Sequence, residues 1–340
     1  MRLGDRTTLV AFTAFCARRD EIVAPLPPSE LKGMSRQAIN DHDDDRRRSL
    51  ANPPIVRTPT VNSFAAELDR LIADNAARAP GDKVHLGFQG IAGIGKTRGV
   101  LHAAKTVWNR ERAAHGDVVT NGKIKAPRAP VVYSTAPAVK TYKELIGSVL
   151  RFFDARATGN AEAMTEQFLH LLQVAETDVV VIDDAHALRG RSRPSLAMAD
   201  SLKALINRIP CTVVFVGTGF ENTVLFGQTV GGYDDPAAQL RHRVVHLEHP
   251  SYRRPNRDDP GAFTKLINAL EGPISTGLRE HRPGTLSSPT TARWLYDQTD
   301  GITARVGKWL SAAAVAAVGS DERVTRTLLE QTPAPGLNAA

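Results

Sequence analysis

Eight consecutive residues constrain this chain more than any others. Gly90-Ile91-Ala92-Gly93-Ile94-Gly95-Lys96-Thr97 fits the pattern G-x-x-x-x-G-K-[ST] at every fixed position. Val84 to Gln89 before it reads as a buried strand, and Arg98 to Trp108 after it as a helix. Strand, glycine loop and helix N-terminus together form a phosphate cradle: glycines let successive N–H groups turn inward, and the helix dipole adds positive charge. Lys96 then reaches the β- and γ-phosphates, and the Thr97 hydroxyl ligates Mg²⁺. The expected phosphate site is Gly90, Gly93, Ile94, Gly95, Lys96 and Thr97, with Arg98 opening the helix.

A loop of this kind needs a parallel sheet behind it, and the chain supplies one. Short continuous apolar runs at 130–134, 178–183, 211–217 and 243–247 alternate with helical segments near 141–154, 161–176 and 196–208. Strands apolar on both faces, separated by helices, imply an α/β fold with helices on both sides of the sheet. The strand ending Val181-Ile182-Asp183-Asp184 carries Asp183 to its C-terminal edge, where open α/β sheets bind ligands. Asp183 can there share the Mg²⁺ shell with Thr97, and Asp184 is placed to orient or deprotonate the attacking water. Thr218 ends the next strand, either as a sensor of the γ-phosphate or as part of a glycine turn.

Composition bears on partners. Of 340 residues, 43 are Lys or Arg and 36 Asp or Glu, a net charge of +7, which favours polyanions such as nucleic acid. The loop around Arg189, Arg191 and Arg193 alternates arginine with small residues and suits phosphate contact. Lys123, Lys125 and Arg128 form a second basic loop, and Arg253, Arg254 and Arg257 a third. No aromatic is interleaved in the first of these, so contact is expected with the nucleic-acid backbone and not with bases. Cys16 and Cys211 lie far apart without metal-ligand spacing, as in a reducing compartment. Leu9–Ala17 is too short to span a bilayer and reads as a short packed helix, so the expected location is cytoplasmic with no membrane partner.

Four regions follow from punctuation. Residues 1–60 read as an N-terminal extension interrupted by prolines; the run Asp41-His42-Asp43-Asp44-Asp45-Arg46-Arg47-Arg48 within it reads as a solvated charged helix or a partner contact. Residues 61–250 form the nucleotide-binding core, opening with a helix from Asn62 to Ala77. Residues 251–332 form a helical subdomain, with helices near 261–271, 289–299, 303–318 and 321–331, and 333–340 a frayed tail.

The phosphate loop, Ile182-Asp183-Asp184-Ala185-His186, Val216-Gly217-Thr218-Gly219 and Gln239-Leu240-Arg241-His242-Arg243 stand in the order found in AAA+ ATPases. With Asp45-Arg46-Arg47, Arg57-Thr58-Pro59, Leu202 to Pro210 and Gly301 to Leu310, the pattern over roughly residues 40–315 resembles the TniB/TnsC-type ATPases of DNA transposition. The resemblance implies an AAA+ P-loop fold: a parallel sheet flanked by helices, plus a small C-terminal helical lid. It also implies an ATPase that uses ATP and Mg²⁺, forms a homo-oligomeric ring or filament on double-stranded DNA, and recruits or activates a DDE transposase. Carried onto this sequence, Lys96 and Thr97 bind phosphate and metal, Asp183 holds the metal, Asp184 is the catalytic acid and Thr218 the first sensor. Arg241 or Arg243 is the finger that reaches a neighbour's γ-phosphate, and Arg305 is the second sensor. Asp184 stands where such families more often have Glu, one methylene longer, so slow hydrolysis is expected. A competing reading is a nucleotide-switched signalling or defence ATPase of the AAA+ or STAND-like type, acting through protein association without DNA; a metabolic kinase fits less well, since no small-substrate site is evident.

Overall fold

The computed structural model describes residues 6–122, 124–136, 141–185, 193–220, 242–256 and 261–333. In chain order the helices before the first strand are α1 (Leu9–Ala17), α2 (Pro28–Leu31), α3 (Arg36–Ala51) and α4 (Pro59–Ala76). Then come β1 (His85–Gly90), α5 (Lys96–His115), β2 (Val118–Asn121), β3 (Ile124–Pro127), β4 (Val131–Thr135), α6 (Tyr142–Phe152), α7 (Ala161–Val174), β5 (Val179–Asp183), α8 (Arg193–Ile206), β6 (Thr212–Gly217) and β7 (Val244–His249). Four further helices follow: α9 (Gly261–Gly277), α10 (Pro289–Thr299), α11 (Thr303–Ala317) and α12 (Arg326–Gln331).

The chain forms two compact units. One comprises Met1–Arg18, Pro59–Ala92 and Lys96–His249; the other comprises Arg19–Thr58, Gly93–Gly95 and Pro250–Ala340. The segment before residue 60 is therefore divided, its first helix packing with the sheet and its next two with the C-terminal helices.

In the first unit five parallel strands run in the order β4-β5-β6-β1-β7. Every residue of β5 and β6 is buried, as the continuous apolar runs require when helices cover both faces. Helix starts follow local chemistry: Thr141 and Glu144 close a reciprocal capping box on α6, and Asn160 accepts the Ala163 N–H at the start of α7. Gly99 is required by packing, because a Cβ there would lie 2.9 Å from Val61 Cγ2 and push α4 off α5. Helix α1 seats Phe12, fully buried, among Trp108, Tyr133 and Phe152 at ring separations of 5.2, 6.1 and 5.9 Å. Burial pushes the Cys16 thiol on that helix up to about 12. The second basic loop departs from the sequence expectation: it is a β-hairpin, β2–β3, with Thr120 opposite Lys125.

In the second unit Phe263, Ile267, Leu295, Val306, Leu310 and Leu50 share one apolar core. Helix α9 continues through Pro273 to Gly277 instead of ending near 271, and the last helix begins at Arg326 instead of near 321. Glu271 is 1% exposed and accepts from His281 Nε2, the Leu286 and Ser287 N–H groups and the Ser287 hydroxyl, so a cluster of local donors offsets the cost of burying it. No described helix is long and apolar enough to cross a membrane.

Candidate nucleotide site

Strand β1 is pinned between β6 and β7, with Gln89 level with Gly217 and with Glu248, so the chain leaves the sheet at Gly90 in a fixed direction. The loop then turns through Gly93 at φ 76° and Gly95 at φ 109°, conformations in which any Cβ is strained. Within the second unit, the Gly93 carbonyl accepts from the Ala304 N–H at 2.8 Å. Helix α5 begins at Lys96 with no acidic residue in its first turn, which leaves the positive end of its dipole unopposed. Arg98 is exposed in that turn.

Lys96 is 9% exposed, and its Nζ donates to the carbonyls of Gly90 and Ile91 at 2.7 and 2.8 Å. Burial lowers its pKa, while the charges of Asp183 and Asp184 act to raise it. Those loop carbonyls hold the ammonium over the cradle, where phosphate oxygens can exchange with them. Asp183 closes β5 at 2% exposure. Its Oδ1 accepts the Asp184 N–H at 2.9 Å, its Oδ2 accepts the Tyr133 hydroxyl at 2.6 Å, and the Thr97 side chain also bonds to it. Burial pushes the Asp183 carboxyl up, and those three donors oppose the shift. A carboxylate and a hydroxyl already in contact are hard oxygen donors, the set Mg²⁺ takes when substrate phosphates complete its shell.

Asp184 sits at φ 57°, in the left-handed region that non-glycine residues rarely adopt. Backbone strain of this kind, on the order of 1–3 kcal/mol, concentrates at functional sites. Thr218 lies one residue beyond the Gln89–Gly217 pair, on the sheet edge that carries Gly90. Lys96, Thr97, Asp183, Asp184 and Thr218 are thus gathered at the C-terminal ends of β1, β5 and β6 in the first unit.

Arg243 is not among them. Arg243 stands just before β7, at the opposite edge of the sheet, where its carbonyl accepts the His85 N–H and its guanidinium donates to Asn207. Arg305 belongs to the second unit and pairs with Asp300 at the start of α11. Lys125 is exposed on β3, whereas its neighbour Arg128 turns inward onto Glu176. Arg193 begins α8; Arg189, Arg191, Lys123 and Arg241 fall outside the described residues. Sequence reasoning missed Tyr133, because its link to Asp183 depends on the β4–β5 register, which pairs Thr135 with Asp183.

Residues 85–225 match the family model described as an AAA domain. No curated protein sequence matches the chain. Among solved structures, the chain is similar to the Aeropyrum pernix ORC2 protein in its ADPNP–ADP complexes, at 15% identity and a TM-score of 0.59, over 84% of this chain and 70% of that one. It is also similar to the Aeropyrum pernix ORC1 protein in complex with DNA, at 17% identity and a TM-score of 0.57, over 84% and 68%. A third likeness is to domain III of the replication initiation protein DnaA from Thermotoga maritima, at 14% identity and a TM-score of 0.50, over 84% and 95%. The chain has the AAA+ P-loop fold, and the domain match and the fold together support ATPase activity.

Proposed function

We propose that this chain is an ATP- and Mg²⁺-dependent assembly factor that oligomerises on duplex DNA and recruits or activates a DDE-type transposase, as TniB/TnsC-type ATPases do. The observation that carries the nucleotide half of this reading is the joint placement of Lys96, Thr97 and Asp183 at one sheet edge, beside a helix N-terminus free of acidic side chains. Lys96 and the loop N–H groups bind the β- and γ-phosphates. Thr97 and Asp183 hold the Mg²⁺ that offsets charge on the phosphoryl group. Asp184 orients the water, Thr218 reads the γ-phosphate, and an arginine near 241–243 of an adjoining subunit stabilises the transferring group. Arg305 serves as a second sensor of the bound nucleotide. Asp184 is shorter than the more usual Glu, which favours slow turnover and a long-lived assembly.

The DNA half rests on the +7 charge and on the likeness to a structure solved in complex with DNA. Lys125 on the hairpin β2–β3, together with Lys123, Arg189, Arg191 and Arg193, supplies the phosphate contacts in this reading. Partner recruitment rests on the sequence pattern over roughly residues 40–315.

The test is duplex binding against nucleotide state and salt. With a non-hydrolysable ATP analogue the chain should bind duplex DNA of any sequence, and log K should fall linearly with log[salt] at about −0.9 per phosphate contacted. Binding that is indifferent to nucleotide would remove the DNA half and favour a switch acting through protein association alone.

A further inference from the structure

Tyr133 is a buried hydroxyl that the reaction scheme above leaves without a role. It lies on β4 at 3% exposure, on the same strand face as Thr135, which pairs with Asp183 across the sheet. From there its ring reaches toward the sheet edge and its hydroxyl donates to Asp183 Oδ2 at 2.6 Å, the short range of a charge-assisted bond. The other carboxylate oxygen is held by the Asp184 N–H. Both oxygens of the metal-binding carboxylate are therefore tied, one by backbone and one by Tyr133.

The phenol is in turn fixed from behind. Phe12 of α1 is fully buried and stacks on the Tyr133 ring at 18° between planes. Helix α1 is fastened to α5, the helix that carries Lys96 and Thr97: Lys105 Nζ donates to the Arg18 carbonyl at 2.6 Å, and Asn109 donates to the Cys16 carbonyl. A single packed chain thus runs from α1 through Phe12 and Tyr133 to Asp183.

We propose that Tyr133 is a positioning residue for Asp183, setting the carboxylate for Mg²⁺, and that α1 holds Tyr133 in that pose through Phe12. The proposal rests on Asp183 being the metal-binding carboxylate. An outer hydrogen bond to a ligating group orients it, and its loss typically weakens metal affinity by about 10–100-fold. Removing the hydroxyl takes the phenol's hydrogen bond from Asp183 Oδ2 while the aromatic packing, the Asp184 N–H bond and the Thr97 contact remain.

The experiment titrates Mg²⁺ into the full-length chain bound to a fluorescent non-hydrolysable ATP analogue, with parallel binding in EDTA and thermal melts. Tyr133→Phe should bind the analogue in EDTA within about twofold of the parent, while its half-saturating Mg²⁺ rises about tenfold or more. Asp183→Asn should abolish the Mg²⁺ response. If Asp183→Asn responds to Mg²⁺ as the parent does, the assignment of the metal carboxylate is wrong and the proposal falls with it. If Asp183→Asn loses the response and Tyr133→Phe keeps the parent midpoint, Tyr133 is structural only and the proposal alone is overturned. Phe12→Leu should raise the Mg²⁺ midpoint in the parent and add nothing in the Tyr133→Phe background. Equal shifts in both backgrounds would remove α1 from the chain of support.

Discussion

At the scale of single residues, two ionisable groups at the starts of β1 and β5, strands that flank β6, work against each other. His85 opens β1, where burial first, and then the charges of Arg243 and Lys83, push its pKa down to about 4; its Nδ1 accepts the Val213 N–H. Asp178 precedes β5, and burial, reinforced by Glu111, pushes its carboxyl up to about 6. Between about 4 and 6.5 the unfolded chain holds a proton on His85 that the native chain lacks, so this contribution falls as pH falls. Between 3.8 and about 6 the native chain holds a proton on Asp178 that the unfolded chain lacks, so this contribution rises as pH falls. Each is worth about 3 kcal/mol across its window, with opposite sign. Asp178→Asn should therefore lose more stability than the parent on acidification from pH 7 to 4.5, and His85→Leu should lose less. Denaturant unfolding at the two pH values checks this, and equal losses in both variants would contradict it. Neither group was legible as titrating from the sequence, where one is a strand-flanking histidine and the other a strand-flanking acid. The placement of Lys96 and Asp183 was legible, because the glycine-loop pattern sets Lys96 at a helix start and the apolar run sets Asp183 at a strand end.

At the scale of elements, what could be read depended on whether the pattern was local. The core strands were legible because a doubly covered strand needs an unbroken apolar run, and β4, β5 and β6 have one. The hairpin β2–β3 was not, since its strands are only four residues long and carry neither an unbroken apolar run nor a buried face. Helix α9 passes Pro273 because its faces on either side, from Phe263 and Ile267 to Ile274, enter one apolar core, and that packing outweighs the lost backbone bond. Helix α3 was the least legible. Its acidic-then-basic run satisfies itself by i,i+3 pairing, Asp43 with Arg46, Asp44 with Arg47 and Asp45 with Arg48, which reads as solvated surface. Yet Arg46 is only 2% exposed and also bonds to Glu322 and the Gly277 carbonyl, while the Arg48 side chain is 74% exposed. Nothing in the run distinguishes the two arginines; the identity of the buried one is set by residues more than 200 positions away. Arg46→Ala should cost about 3 kcal/mol or more, because it strands the buried Glu322 carboxylate, whereas Arg48→Ala should stay within about 0.5 kcal/mol. Melting of both variants tests this, and a mild Arg46→Ala would mean that the Gly319 and Arg279 N–H groups alone satisfy Glu322.

At the scale of the whole molecule, the arrangement of the sheet bears on how a site could be shared. Arg243 lies at the start of β7 and the phosphate loop at the end of β1, and β1 and β7 run parallel in register from His85–Val244 to Gly90–His249. Six residues of strand separate the two edges, roughly 20 Å at about 3.3 Å per residue. An arginine just before β7 therefore cannot stabilise the γ-phosphate bound by its own loop; if it acts on a phosphate, that phosphate belongs to another copy. This converts the finger assignment into an experiment on mixtures. Arg243→Ala and Arg241→Ala each retain an intact phosphate loop, and Lys96→Ala retains both arginines and is expected to lose nucleotide. Whichever arginine is the finger, its alanine variant should lose at least about 10³-fold in hydrolysis alone, the scale an arginine finger contributes. Mixed with Lys96→Ala under DNA-binding conditions, that variant should recover hydrolysis, since each Lys96→Ala subunit lends an arginine to a neighbour's intact loop. The other arginine variant should hydrolyse ATP without help. Recovery that grows with total protein concentration is the mark of a shared site. If neither arginine variant loses activity, or the one that does is not rescued at any mixing ratio, hydrolysis proceeds within one chain, and ATP would then act on assembly through each subunit separately and not through a site completed by its neighbour.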